Sequence, residues 1–191
     1  MKVITFITFP FLVLIACGQT SQAPSTSSSP EATTITKPVT SNFNKKEACE
    51  YVSPEELAQI MGWEASNIIS KLSMSIKDRD VTVCNIIYGD ESMLFRLAWK
   101  SERSQENKVL ERNFNKQLTT GEGDLKYREL SNTTEGQVIW GVGPGRVGQH
   151  VYILRKRIGN EIEIQLEALS MINDEAAFLG KLKNILGKIE G

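Results

Sequence analysis

Hydrophobic positions along this chain recur every three to four residues in some stretches and every second residue in others, and the two periods separate helices from strands. The clearest helix opens at Ser53-Pro54-Glu55-Glu56, where a serine can cap the first amides, proline occupies the first helical position and Glu56 can close a capping box. Val52 and Leu57 supply a hydrophobic staple, Leu57, Ile60 and Met61 form the buried stripe, and Gly62 is placed to end the helix. A second helix is predicted from Arg103 to Leu118, with Leu110, Phe114 and Leu118 four apart among polar residues and Gly121 beyond its end. A third begins at Asn173, a cap with Asp174 and Glu175 in the first turn, and carries a broad stripe of Phe178, Leu179, Leu182, Ile185, Leu186 and Ile189.

Alternation marks the strands. Val81 to Tyr88 and Met93 to Lys100 are predicted to pair across Gly89-Asp90-Glu91-Ser92, with Tyr88 opposite Met93, Ile86 opposite Phe95, Cys84 opposite Leu97 and Thr82 opposite Trp99. That register places Cys84 and Trp99 on the core side. Lys71 to Lys77 alternates as an edge strand would, and another strand runs through Gln137 to Trp140. The best-marked hairpin joins Gln149–Arg157 to Glu161–Ala168 through a three-residue loop, Ile158-Gly159-Asn160. It pairs Arg157 with Glu161 and Arg155 with Glu163 on one face, while Tyr152, Leu154, Ile162, Ile164 and Leu166 share the other. The sum is an α+β domain, an antiparallel sheet with helices packed on it.

Ahead of that domain the pattern changes twice. Lys2 is followed by an apolar run from Val3 to Ala16, broken by Thr5, Thr8 and Pro10 and too short to span a bilayer, which has the form of a secretory signal peptide. It ends in Leu14-Ile15-Ala16-Cys17, a sequence that resembles the lipobox of bacterial lipoproteins. The resemblance implies cleavage before Cys17, a diacylglyceryl thioether on its sulfur and attachment to a membrane through the acyl chains, since each buried methylene contributes about 0.8 kcal/mol. Gly18 after the cysteine implies the outer membrane in a Gram-negative cell. From Gly18 to Asn42, 15 of 25 residues are Ser, Thr or Pro and only Glu31 and Lys37 are charged, a composition that predicts a disordered tether reaching roughly 25–30 Å. Residues 1–17, 18–45 and 46–191 are thus expected to be signal peptide with its lipobox cysteine, tether and folded domain.

Charge and soft ligands exclude several functions. Twenty-two basic and 23 acidic side chains leave a net charge of −1, without the basic excess that nucleic-acid binding requires. One histidine and three cysteines offer too few ligands for a typical metal site, and neither metal nor cofactor is expected. With Cys17 lipidated and the chain exported, Cys49 and Cys84 remain as an even pair, 35 positions apart, and a disulfide is the expectation. No catalytic set is recognisable: His150, the sole imidazole, opens a strand, and Glu161, Glu163 and Glu167 face arginines as a solvated ladder. Gly143-Pro144-Gly145-Arg146-Val147-Gly148 matches GxGxxG literally, but a strand follows where a dinucleotide site needs a helix. If the domain has a ligand surface, it is expected at the Gly141–Gly148 loop, with Trp140 facing a groove and Arg146 offering its planar fork to an anion.

Cys49, the run Ser53-Pro54-Glu55-Glu56-Leu57 with Gly62, and Val83-Cys84 in an apolar strand resemble the secreted two-cysteine lipoproteins of bacteria, whose domain has no assigned function. The likeness covers residues 48–100, extends to the later elements only by their order, and departs at Gly141 to Gly148. It implies a PsbP-like sandwich and an envelope-anchored domain, and brings no catalytic residues. The function expected is a membrane-anchored, non-enzymatic binding or accessory module with an envelope protein or small ligand as partner. The alternatives are an envelope hydrolase using unrecognised carboxylates and an inhibitor or assembly factor for an envelope enzyme.

Overall fold

A computed structural model of the chain describes residues 46–76 and 80–191. The expected signal peptide, Cys17 and the tether lie outside the described residues, as does Lys77. Seven strands form one antiparallel sheet: β1 (Ile69–Ile76), β2 (Val81–Tyr88), β3 (Glu91–Trp99), β4 (Lys126–Asn132), β5 (Gly136–Pro144), β6 (His150–Ile158) and β7 (Ile162–Ser170). Their order is β1-β2-β3-β7-β6-β5-β4, so two meanders meet where β3 pairs with β7. The helices are α1 (Pro54–Met61), α2 (Glu102–Glu106), α3 (Val109–Thr120) and α4 (Glu175–Glu190). The domain is α+β, as the sequence pattern predicts.

Helices α1 and α4 cover one face of the sheet. Leu57 and Met61 from α1 and Phe178, Leu182, Ile185, Leu186 and Ile189 from α4 meet Cys84, Phe95, Leu97, Leu154, Ile164 and Leu166 in the main core. Helix α1 begins as its sequence dictates: Glu56 N donates to Ser53 Oγ, Ser53 N donates to Glu56 Oε2, and Gly62 ends it in the left-handed region. The α4 cap is Asp174 rather than Asn173, its Oδ1 accepting from Ala177 N.

Two hairpins differ in register from expectation while keeping every face. Gly89, at φ +56°, closes a two-residue turn with Asp90, so Cys84 lies opposite Phe95 and Ile86 opposite Met93, two positions from the predicted pairing. In the β6–β7 hairpin the three loop residues are Gly159, Asn160 and Glu161, because Ile158 pairs with Ile162. Arg157 therefore faces Glu163, and Arg155 faces Gln165. The single helix expected over 103–118 is broken at Lys108, whose φ of +50° separates α2 from α3. Strand β4 has no counterpart in the hydrophobic pattern, because it is a largely exposed edge with a bulge between Glu129 and Ser131.

Candidate functional site

The two cysteines of the domain are joined: Cys49 and Cys84 stand 5.1 Å apart at Cα. The bridge ties the short 3-10 turn Ala48–Glu50, just ahead of α1, to the middle of β2 on the core face. A second tie runs beside it, where Ala48 N donates to Thr82 Oγ1 at 2.9 Å. Among the described residues there is no cluster of His, Cys, Asp or Glu that can hold a metal ion.

The glycine-rich segment is mostly strand. Gly141 and Gly143 lie inside β5 and face the edge strand β4, where a Cβ on Gly141 would come within 2.5 Å of the Tyr127 ring and one on Gly143 within 2.8 Å of Leu125. These glycines admit bulky neighbours rather than a phosphate. The loop itself is short: Gly145 N donates to the Gln149 carbonyl and Gln149 N to that of Arg146, and β6 follows. Arg146 is exposed at the tip beside Val147, which is 99% exposed. Trp140 is not. It is 1% exposed under α4, stacked near Tyr152, with its Nε1–H donating to Glu175. The expectation that Trp140 faces a groove is thereby corrected, and the structure does not bring Trp140 and Arg146 together on an accessible surface. His150 opens β6, half-buried, its ring 6.3 Å from that of Tyr152.

The larger correction concerns the charged face of the β6–β7 hairpin. Instead of a solvated ladder it is buried, with Arg155 at 9%, Arg157 at 6% and Glu163 at 3% exposure. Helix α3 covers it, laying the Phe114 ring 5.2 Å from the Arg155 guanidinium. Glu163 accepts a close contact from Arg155 Nη2 and lies 3.5 Å from both Arg96 and Lys100. Burial alone would push the Glu163 carboxyl up, but Arg155, Arg96 and Lys100 together hold it below the ordinary carboxylate range. Arg157 is satisfied by Gln137 Oε1 and the Gly159 carbonyl, and Gln137 Nε2 in turn donates to Glu129. Glu161 sits in the turn, apart from this cluster. Glu167, two pairs along β7, is different. Burial raises its carboxyl pKa, the Gln165 hydrogen bond opposes the rise and the Glu122 charge adds to it.

Around the rim of α3 the same face carries Tyr127, whose hydroxyl donates to Glu122 at 3.1 Å. Burial, reinforced by the Glu122 charge, pushes that phenol up to about 12. The sequence signal for all of this was β5, where Ile139 and Trp140 are neighbours and therefore point to opposite faces. A strand apolar on both faces is covered on both.

No family model and no curated protein matches this chain. Among solved structures, the extracellular domain of PknH from Mycobacterium tuberculosis is similar at 10% sequence identity, over 71% of this chain and 90% of that one, with a TM-score of 0.37. No helix among the described residues is long and apolar enough to cross a membrane.

Proposed function

We propose that this chain is an exported lipoprotein, held on a bacterial membrane through Cys17, whose folded domain acts as a non-enzymatic binding or accessory module in the cell envelope. The observation that carries the reading is the Cys49–Cys84 bridge, which takes up two of the three cysteines in the sequence and leaves Cys17 as the third, at the end of the apolar run. A structural disulfide fits an oxidising compartment, and a cysteine closing Leu14-Ile15-Ala16 fits lipidation. The resemblance of residues 48–100 to two-cysteine lipoproteins supports the same address. The non-enzymatic role draws on the buried charges of the domain, which are held in structural contacts: Glu163 by Arg155, Arg96 and Lys100, and Arg157 by Gln137 and the Gly159 carbonyl.

The test is the full chain and its Cys17→Ala variant expressed in a bacterium. The parent is expected in the membrane fraction with the mass of a chain cleaved before residue 17 and acylated; the variant is expected uncleaved or soluble. A tagged parent should capture an envelope component that the variant captures poorly from intact cells. Unchanged mass and fractionation of the variant would overturn the anchor, and with it the proposed address.

A further inference from the structure

Helix α3 packs over β4 and β5. At the far end of the same face, where β2, β3 and β7 run side by side, the sheet stays open, and the cross-strand partners Ile69 and Ile87 are 50% and 41% exposed. A cavity of about 290 Å³ lies there, close to the lower end of the range of small-molecule sites, roughly 300–1,000 Å³. From this face Ile87, Leu94 and Leu169 line it together with Asn85, Ser92 and Glu167. Glu167 is the sole charged group in the lining. The same carboxylate also borders the cavity of about 440 Å³ beside α3, where Glu122 supplies a second one.

Glu167 is half-buried, and its Oε2 accepts from Gln165 Nε2 at 3.3 Å. The cations nearest to it in register, Arg96 on β3 and Arg155 on β6, both pair opposite Gln165, and their guanidinium groups are engaged by Glu163. Among the described residues no lysine or arginine forms an ion pair with Glu167. A carboxylate set among isoleucine and leucine without a counter-charge is costly to ionise, and burial with the Glu122 charge nearby raises its pKa accordingly. A cation in the cavity would offset that cost. Oε1 is the oxygen left over, which suits the point charge of an ammonium better than the two-pronged fork of a guanidinium. We infer that the cavity binds a small primary alkylammonium, its –NH3+ donating to Glu167 and its carbon chain lying along Ile87, Leu94 and Leu169. The inference rests on the reading of the domain as a binding module and narrows it to a ligand class.

Three probes with one unbranched chain test it: n-hexylammonium, 1-hexanol and hexanoate, titrated near neutral pH into the full chain with its disulfide intact. The methyl resonances of Ile87, Leu94 and Leu169 and the side-chain carboxyl resonance of Glu167 are followed by NMR. Saturable shifts of all four groups are expected with hexylammonium. Hexanol, which keeps the chain and loses the charge, is expected to bind about tenfold more weakly, the loss of a hydrogen bond between charged groups, and hexanoate more weakly still. Glu167→Gln, nearly isosteric and half-buried, should lower hexylammonium affinity by about tenfold, to the level of hexanol, and leave hexanol unchanged. The inference is overturned if hexylammonium gives no saturable shift, if hexanol or hexanoate binds as well as it does, or if Glu167→Gln leaves its affinity as it was. A failed titration beside successful capture by the anchored chain would remove this site and leave the binding-module reading in place.

Discussion

The two faces of this sheet are made by alternate residues of the same strands, yet they are held by different physics. Under α1 and α4, Trp140, Tyr152 and Phe178 lie in a near-parallel row, with ring centroids 6.0 and 4.4 Å apart, among aliphatic side chains. On the face that α3 covers, the buried apolar residues are Val83, Ala98, Leu110, Phe114, Ile139 and Ile153, and Arg155, Arg157, Glu163 and Gln137 are buried with them. Apolar burial is non-directional and tolerates adjustment, whereas a buried ion requires a partner at a fixed place. The first face therefore supplies cohesion, and the second constrains how α3 and the β6–β7 hairpin sit on each other.

Breaking one residue on each face makes the contrast measurable. Glu163 and Leu166 stand three positions apart on β7 and point in opposite directions. Removing Glu163 strands Arg155, Arg96 and Lys100 around an empty centre, and Glu163→Ala is expected to cost about 3–5 kcal/mol in urea denaturation near neutral pH. Leu166→Ala leaves a cavity and is expected to cost about 2–5 kcal/mol. The faces are told apart by acid. The Glu163 carboxyl is held below its unfolded value, so its contribution is present above the ordinary carboxylate range and is lost as pH falls through the folded value. The penalty of Glu163→Ala should shrink with acidification, and that of Leu166→Ala should not. Equal pH dependence in the two variants would show that the ion cluster contributes nothing specific.

The disulfide belongs to the apolar face and sharpens the comparison from the other side. Replacing both Cys49 and Cys84 by Ala is expected to cost roughly 3–4 kcal/mol in the chain-entropy model for a loop of this length, through the unfolded chain more than through any contact. Thiol labelling of the unfolded, unreduced protein should modify neither Cys49 nor Cys84. Modification of both would mean that the bridge does not form and that α1 is held by packing alone.

The apolar face was legible because its signals are local or periodic. Ser53, Pro54, Glu56 and Gly62 specify α1 within ten residues, and the α4 stripe repeats at helical spacing. Ser53→Ala, which removes the oxygen accepting from Glu56 N, is accordingly expected to cost about 1 kcal/mol in thermal or urea unfolding. Register was less legible: the faces of β2 and β3 followed from alternation, but alternation is blind to a shift of two, which only the turn at Gly89 decides. The ionic face was misread for a different reason. Arg155 and Glu163 alternate with aliphatic residues whether water or a helix lies over them, so a wet ladder and a buried cluster share one sequence pattern. What separates them is the need of Leu110 and Phe114 for a surface to cover, together with the two-sided apolarity of Ile139-Trp140. Trp140 itself was drawn to the glycine loop by proximity in sequence, while its strand turns it into the core.

The smallest expected effect separates two carboxylates on one strand of the ionic face. Glu163 is surrounded by cations, whereas Glu167 has the Gln165 amide at 3.3 Å and the Glu122 charge nearby. Burial raises its pKa, so the folded chain holds this proton more tightly than the unfolded chain does, and the stability that Glu167 contributes declines as pH rises from the ordinary carboxylate range through the folded value. That direction is opposite to the one at Glu163. Glu167→Gln, neutral and nearly isosteric, removes the ionisation without removing volume. With solvent screening of a half-buried group, it should stabilise the protein by a few tenths of a kcal/mol near pH 7, on the order of a surface charge effect, and by nothing below about pH 4. The comparison is made by chemical denaturation of parent and variant across that range. A variant that is less stable at neutral pH would mean that Glu167 is held as an anion by a cation, and the two carboxylates would then belong to one network.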